Sequence, residues 1–294
     1  MSAENPRDVR NSIDAWLPPE MAERAESIGV KKAGLDFWTM LALGILAGAF
    51  IALGALFCTT VTASPLPYSV NRLLGGLAFS LGLILVIVAG AELFTGNNLI
   101  VMAWANKKVT TVQLLRCWTV VYAGNLIGAV ATAGLVFLSK QYSFGAGAVG
   151  KNALTIAQNK CNLGVVEALT LGILCNVLVC LAVWLCYSAR TTTDKIVSIV
   201  FPITAFVAVG FEHSVANMYF VPAGLLIKTS APPEFWNLIH ESASSYAALT
   251  CMGFLRNLVL VTLGNVFGGS LMVGLVYWFV YLRKPSRSDS SSET

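Results

Sequence analysis

Two clusters of polar residues interrupt long apolar stretches, and their residue types could bind a small anion inside a membrane. Gly90–Asn98 reads Gly-Ala-Glu-Leu-Phe-Thr-Gly-Asn-Asn, and Gly210–Asn217 reads Gly-Phe-Glu-His-Ser-Val-Ala-Asn. An ionisable side chain such as His213, the only histidine inside an apolar stretch, usually marks a substrate or proton pathway. Glycine permits the backbone angles of a helix break, and a helix that starts after the break directs its N–H groups toward an anion. The two clusters therefore predict an anion pathway.

The apolar stretches that hold these clusters are too long to cross a membrane once. Leu73–Ala105 has 33 residues with one charge, and Ile196–Ile227 has 32 residues. A continuous helix of that length would reach about 50 Å, whereas the hydrocarbon core is about 30 Å thick. Broken backbone at membrane depth occurs where protein buries it or where it lines a cavity. Paired breaks in the two halves of a chain predict a substrate site near the bilayer midplane.

The composition predicts an integral membrane protein, because 56% of the 294 residues are hydrophobic and only 12% are charged. The net charge of +4 is spread through loops, so we do not expect nucleic-acid binding. We expect a cytoplasmic amphipathic segment at 1–35, a six-helix transmembrane channel domain at 36–283 and a disordered cytoplasmic tail at 284–294. Six spans are predicted, at Phe37–Phe57, Leu73–Ala105, Leu114–Ser139, Val165–Ala189, Ile196–Ile227 and Asn257–Leu282.

Basic residues predict the orientation. The termini and the loops at 106–116 and 190–195 hold 13 lysines and arginines, whereas the opposite side holds six. The positive-inside rule therefore places both termini in the cytoplasm, in a multi-pass protein of the inner (plasma) membrane. On the opposite side we expect a glycine-rich loop at Lys140–Lys160.

The two halves of the chain repeat the same signals. Gly-x-Glu breaks the second and the fifth span, and Gly124-Asn125 in the third span matches Gly264-Asn265 in the sixth. Because each half has three spans, the halves must insert with opposite orientation, which predicts an inverted 3+3 repeat with broken second and fifth helices. We expect Glu92 to tie the broken ends of its helix together, and Ser214 to cap the half-helix after the second break.

Three motifs in register resemble the formate/nitrite transporter family of anion channels, and the resemblance is closest to the bacterial formate channels. These motifs are Gly90–Gly96 (GAELFTG), Gly172–Ala182 (GILCNVLVCLA) and Gly210–Asn217 (GFEHSVAN). The resemblance implies an all-α, aquaporin-like protomer with its own pore, a homopentamer, and no cofactor. Metal or haem is also not expected from the residues, since no second His or Cys lies at ligand spacing from His213.

The resemblance also implies the roles of single residues. The substrate pathway would contain His213, Thr95, Lys160 and Asn176. The outer pore constriction would be Phe79 and Phe206, and the inner one Leu83, Leu93, Phe94 and Val179. The residues with a structural role at the helix breaks would be Gly90, Glu92, Gly210 and Glu212.

The expected substrate is formate, with nitrite and hydrosulfide as open alternatives. Formate channels carry two histidines shortly after the vestibule lysine, whereas this chain reads Lys160-Cys161-Asn162. A neutral-solute channel of the aquaporin type is a distant alternative, because Asn-Pro-Ala is expected at each break and neither break contains proline. An enzyme is not expected, since Ser214 and His213 are adjacent on one helix and no acid–base–nucleophile set converges.

The energetics make proton-assisted transport competitive with transport of the bare anion. Desolvating a bare anion costs several kcal/mol or more. Protonating a carboxylate whose pKa is near 3.9 costs about 4 kcal/mol at pH 7, so moving the neutral acid competes with moving the ion. We hypothesise that Lys160 and the half-helix dipoles concentrate the anion, and that His213 and Thr95 bind it midway and assist proton transfer.

Overall fold

The computed structural model describes residues 14–283, and six of its helices are long and apolar enough to cross a membrane. In chain order the α-helices are α1 (Pro18–Ala33), α2 (Phe37–Val61), α3 (Tyr68–Ile84), α4 (Val101–Ala105), α5 (Thr111–Leu138), α6 (Ala148–Asn162), α7 (Val165–Ser188), α8 (Thr192–Val209), α9 (Ser214–Ser230), α10 (Pro233–Ile239), α11 (Cys251–Val266) and α12 (Val276–Tyr281). Two π-helical segments, Leu85–Gly90 and Phe267–Leu275, extend α3 and join α11 to α12.

The predicted spans and both predicted breaks are confirmed. The second span, predicted at Leu73–Ala105, divides into α3 with its π-helical extension, a turn of 3₁₀-helix at Gly96–Ile100, and α4. The fifth span, predicted at Ile196–Ile227, divides into α8 and α9, which are separated by residues 210–213. Each stretch is therefore two shorter helical pieces that meet inside the protein.

The prediction of a glycine-rich loop at Lys140–Lys160 was wrong over most of that range. Only its first part is irregular, and α6 begins immediately after Gly147, whose φ is +83°. The glycines gather at 145–150, whereas Leu154, Ala157 and Cys161 lie at helical spacing and are buried. This buried face packs against α9, so α6 is a short amphipathic helix that lies beside the second break.

Close helix packing repeats in the two halves and confirms the inverted repeat. Helix α2 packs against α5, and α7 packs in the same way against α11. A Cβ atom added to Gly44 would lie 3.3 Å from the Cα of Gly124, and one added to Gly172 would lie 3.3 Å from the Cα of Gly264. Glycine at these crossings lets the two backbones approach closely, which is typical of helix pairs in membranes.

Helix α1 packs against the chain that follows the first break. Its buried residues include Ala25, Gly29 and Ala33 at a spacing of four, and this face contacts the 3₁₀ turn and α4. The carboxylate of Glu26 is buried on the same helix and binds the Nδ2 of Asn106 and the Nζ of Lys108, both at 2.6 Å. The predicted tail at 284–294 lies outside the described residues, and the division into three regions stays a prediction.

Candidate substrate pathway between two broken helices

One asparagine of α5 binds the backbone of the first break. Gly90 ends the π-helical segment with a φ of +86°, a conformation that favours glycine. The side-chain Nδ2 of Asn125 then donates to the backbone oxygens of Gly44 (2.7 Å) and Glu92 (2.9 Å), and its Oδ1 accepts the N–H of Phe94 at 2.9 Å. This buried side chain therefore pairs two backbone groups that the break leaves without helical partners, at Glu92 and Phe94, and ties them to Gly44 of α2.

The second break repeats this arrangement with an asparagine from α11. Gly210 ends α8 with a φ of +83°. The Nδ2 of Asn265 donates to the backbone oxygens of Gly172 (2.7 Å) and Glu212 (3.0 Å), and its Oδ1 accepts the N–H of Ser214 at 2.9 Å. The repeated Gly-Asn pairs thus have the same role in both halves, because each asparagine binds the backbone of one break.

Each break also holds a buried carboxylate that a lysine neutralises. In the first break, Glu92 accepts a hydrogen bond from the Nδ2 of Asn97 at 2.7 Å and forms an ion pair with Lys32 of α1 at 3.1 Å. The Oδ1 of Asn97 accepts a further bond from the same lysine at 2.9 Å. Glu92 therefore links the residues before and after the break to α1.

The carboxylate of the second break has matching partners. Glu212 accepts from the Nδ2 of Asn217 at 2.7 Å and pairs with Lys160 of α6 at 2.8 Å. The ammonium group of Lys160 also lies 5.2 Å from the ring centroid of Phe220. Only 13% of the Lys160 side chain is exposed, and its charge is compensated by the adjacent carboxylate.

The two breaks meet at a hydrogen bond between Thr95 and His213. The Oγ1 of Thr95 lies 2.8 Å from the Nε2 of His213, and both side chains are buried. The Nδ1 of His213 accepts the backbone N–H of Ala216 at 3.0 Å, so His213 is the N-cap of α9. The expectation that Ser214 caps this helix was wrong, because the imidazole nitrogen takes the position of a capping oxygen.

The cap determines which nitrogen of the imidazole carries the proton. A backbone N–H can only donate, so the Nδ1 of His213 must accept, and in the neutral ring the proton is on Nε2. The Nε2–H group then donates to the Oγ1 of Thr95, and the hydroxyl proton of Thr95 is left for another acceptor. The pair therefore presents a hydroxyl donor between the breaks, which suits an anion.

Asn176 of α7 lies beside this pair. Its Nδ2 is 3.3 Å from the backbone oxygen of Thr95, 2.8 Å from the Oδ1 of Asn98 and 2.7 Å from the backbone oxygen of Asn265. Its Oδ1 is buried and has no hydrogen-bond partner among the described residues. Asn176 thus joins the first break to α11 through its amide nitrogen, and its oxygen remains an unpaired acceptor.

A cavity of about 750 Å³, which we call the Lys160 vestibule, leads to this site from one side. Its lining includes Lys160, Arg72 and His213, and the rings of Phe79 and Phe206. These two rings are buried and meet edge to face, with centroids 5.5 Å apart. The rings therefore narrow the vestibule next to His213. Phe79 and Phe206 are the two residues expected, from the family resemblance, to form the outer constriction.

The four residues expected at the inner constriction are all buried in the same hydrophobic cluster as Phe79 and Phe206. They are Leu83, Leu93, Phe94 and Val179. The ring of Phe94 also meets Tyr122 at 4.8 Å and Trp118 at 6.1 Å. These four side chains are thus apolar and buried, and their role as an inner constriction stays a prediction.

Sequence reasoning missed Lys32 and Arg72. Lys32 lies twelve residues before Gly44, and Lys160 lies twelve residues before Gly172, so extending the repeat into α1 would have revealed Lys32. For Arg72 the sequence carries no comparable signal. An arginine near the end of a span is ordinarily read as an orientation marker.

The fold and the site define a class, that of α-helical membrane channels and transporters with two broken helices around a central polar pair. Residues 19–279 match the formate/nitrite transporter family. The chain is 44% identical to the formate channel FocA of Escherichia coli (strain K12) over 97% of this chain and 99% of that protein, and 42% identical to FocA of Haemophilus influenzae over 94% and 97%. It also superposes on a solved structure titled "Pentameric formate channel with formate bound", with a TM-score of 0.80 and 44% identity over 84% of this chain and 98% of that chain.

These similarities extend over nearly the whole chain. The protein belongs to the formate/nitrite transporter family and is a multi-pass membrane protein.

Proposed function

We propose that this protein is a formate channel of the plasma membrane, that it assembles as a homopentamer with one pore in each protomer, and that it is not an enzyme. The observation that carries the proposal is the Thr95–His213 hydrogen bond, which joins two helix breaks beside a hydrophobic constriction. The relatives support the substrate and the assembly, since two are named formate channels and one solved structure is a pentamer with formate bound.

The proposed pathway has four stages. Formate enters the Lys160 vestibule on the side that faces away from the cytoplasm, in the orientation that the basic residues of the loops predict. It then passes the outer constriction of Phe79 and Phe206 and reaches Thr95 and His213. It leaves through the inner constriction, which consists of Leu83, Leu93, Phe94 and Val179. Gly90, Glu92, Gly210 and Glu212 keep the breaks in shape, and Asn176 supports them.

The central pair binds formate through the hydroxyl proton of Thr95, while the Nε2–H of His213 donates to the same hydroxyl oxygen. Transfer of a proton through Thr95 from the neutral imidazole would leave an imidazolate, which is too basic to form at neutral pH. Proton assistance therefore requires a second proton on His213. That proton can reside only on Nδ1, so the bond from the Ala216 N–H must open first. In this mechanism, protonation of His213 and opening of the α9 cap are one coupled step.

The test of the proposed function is flux in liposomes of formate, nitrite, hydrosulfide and lactate at two pH values. We expect formate flux that rises as the pH falls. A greater flux of nitrite or hydrosulfide than of formate would contradict the proposed substrate, and a monomeric mass in detergent would contradict the pentamer.

The role of His213 is tested with two variants. His213→Asn keeps a good N-cap residue for α9 but lacks the ring nitrogen that binds Thr95, whereas His213→Phe lacks both. We expect both variants to lose the pH dependence of formate flux and only His213→Phe to lose thermal stability. Unchanged pH dependence in both would exclude proton assistance by His213.

The role of Lys160 needs a matched design. Lys160→Ala alone leaves the buried carboxylate of Glu212 without its partner, which is destabilising whatever the role of the lysine. The double variant Lys160→Ala with Glu212→Gln removes both charges. If the lysine itself attracts the anion, formate uptake falls in the double variant as well as in the single variant. Uptake that falls only in the single variant would assign the effect to the unpaired carboxylate of Glu212 and contradict this role of the lysine.

A further inference from the structure

Arg72 of α3 binds the end of α8. Its Nε donates to the backbone oxygen of Ala208 at 2.8 Å, and its Nη2 donates to that of Val207 at 2.5 Å. The last carbonyl groups of a helix have no partner within the helix, and the negative end of the helix dipole favours a cation there. The planar guanidinium thus closes the C-terminal end of α8 next to the second break.

This contact joins the two helices that carry the outer constriction. Phe79 follows Arg72 by seven residues, so both side chains lie on the same face of α3. Phe206 immediately precedes Val207, whose carbonyl Arg72 binds. The distance between the two rings, 5.5 Å between centroids, is therefore fixed in part by the guanidinium group.

Arg72 also differs from the other charged residues that line the Lys160 vestibule. Lys160 and Glu212 form an ion pair at 2.8 Å. Glu167 is exposed to solvent and accepts the N–H of Gly164 at 3.2 Å at the start of α7. Arg72 binds carbonyl oxygens and, within residues 14–283, has no carboxylate partner. Its positive charge is therefore not neutralised within an ion pair, as that of Lys160 is.

We propose that Arg72 is a specificity-determining residue of the channel. Its charge raises the anion concentration at the outer constriction, and its two bonds to α8 hold Phe79 and Phe206 at a spacing that excludes larger carboxylates. The inference rests on the proposed function, because it assigns a role within the same anion pathway. Among the described residues that line the vestibule, Arg72 is the cation without an ion pair, whereas the charge of Lys160 is balanced by Glu212.

Three variants separate the charge from the contact with α8. Arg72→Gln removes the charge, and Arg72→Lys keeps the charge but lacks the planar fork that reaches both carbonyls. The matched control is Arg256→Gln, because Arg256 is also placed on the outer side and donates to one backbone carbonyl, that of Leu163 at 3.2 Å, but is exposed outside the vestibule. Pentamer yield in detergent shows which variants fold.

The first measurement is the half-saturation concentration for formate in liposomes at low and high salt. Arg72→Gln is expected to raise it roughly fivefold at about 0.01 M salt and less than twofold at about 1 M, because the Debye length falls from about 30 Å to about 3 Å. Arg72→Lys and Arg256→Gln should stay within about twofold of wild type. Equal values for Arg72→Gln and Arg256→Gln would overturn the role of the charge.

The second measurement is the ratio of lactate flux to formate flux. Arg72→Lys is expected to raise this ratio at least about threefold, because the constriction loosens when the two bonds to α8 are lost. An unchanged ratio would overturn the role of the contact between Arg72 and α8. Because this test uses Arg72→Lys, it holds even if Arg72→Gln does not fold. If the wild type carries nitrite or hydrosulfide instead of formate, the proposed substrate is wrong, and the same variants test Arg72 with that anion.

Discussion

Replacing Thr95 with valine removes one hydroxyl from the centre of the pathway and keeps the shape of the side chain. The Oγ1 of Thr95 lies 2.8 Å from the Nε2 of His213, and that nitrogen donates because Nδ1 accepts from the Ala216 N–H. The hydroxyl proton is therefore the donor that remains for formate. Thr95→Val removes this donor and also leaves the Nε2–H of His213 without its acceptor.

The size of the effect follows from these two losses. A hydrogen bond to a charged group contributes about 1.5–3 kcal/mol, which corresponds to a roughly 10- to 150-fold lower rate of passage. In the variant the Nε2–H can donate directly to formate, and this replacement bond reduces the loss. We therefore expect formate flux through Thr95→Val to fall to about a tenth of the wild-type value.

The assay is stopped-flow formate flux in liposomes that hold equal amounts of pentamer. Thr95→Ser keeps the hydroxyl and serves as the matched control, with flux expected within about threefold of wild type. The reasoning would be refuted if Thr95→Val carried formate as fast as Thr95→Ser. A lower melting temperature of Thr95→Val would independently report the unpaired imidazole N–H.

Two further predictions concern stability. Asn265→Ala leaves two buried backbone groups of the second break unpaired, at Glu212 and Ser214, and removes a bond to Gly172 of α7, so it should destabilise the pentamer by more than about 2 kcal/mol. The control Asn152→Ala, which removes two bonds at a half-buried position, should cost about 1 kcal/mol, and equal melting temperatures in detergent would exclude this role. Hydrogen bonds from Lys151 and Tyr246 lower the pKa of Glu241. The contribution of Glu241 to stability is therefore present above the ordinary carboxyl pKa and is lost as the pH falls through the lowered value. Glu241→Gln should flatten the dependence of melting temperature on pH below about 5, and an unchanged profile would contradict this role of Glu241.

The sequence predicts the membrane fold well, because long apolar runs indicate the spans and short polar motifs indicate the breaks. Apolar runs of more than 30 residues are too long to cross a bilayer once, and a Gly-x-Glu sequence identifies where each run breaks. The matching Gly-Asn pairs at 124–125 and 264–265 predict the repeat, and the structure shows why: both asparagines bind the backbone of a break.

The sequence predicts less about features that depend on tertiary contacts. Glycine near its start suggests a loop for α6, although the buried face of its second half requires a helix against α9. His213 caps α9 through Nδ1, which propensity does not predict because serine and threonine are far commoner caps. Lys32 reaches Glu92 only because α1 folds back onto the first break, and the sequence signal for that contact is the long-range repeat rather than a local pattern.

The inverted repeat also shows where the chemistry of the pathway departs from its scaffold. Glu92 and Glu212 occupy equivalent positions, since each precedes by two residues the N–H group that an asparagine Oδ1 accepts. Counting from these carboxylates, His213 is equivalent to Leu93, and Thr95 is equivalent to Val215.

Each break therefore supplies one polar residue where the other supplies an apolar one. A symmetric pair of histidines, one in place of Leu93, would bring two ionisable groups together in a buried site, where a second charge is strongly disfavoured. A symmetric pair of apolar residues would leave no donor for the anion. Because Leu93 occupies the position equivalent to His213, and Val215 the position equivalent to Thr95, the two breaks supply a single donor pair. Its two side chains lie 2.8 Å apart across the breaks. The scaffold is thus symmetric where it pairs backbone groups, and asymmetric at the two positions that present a proton to the substrate.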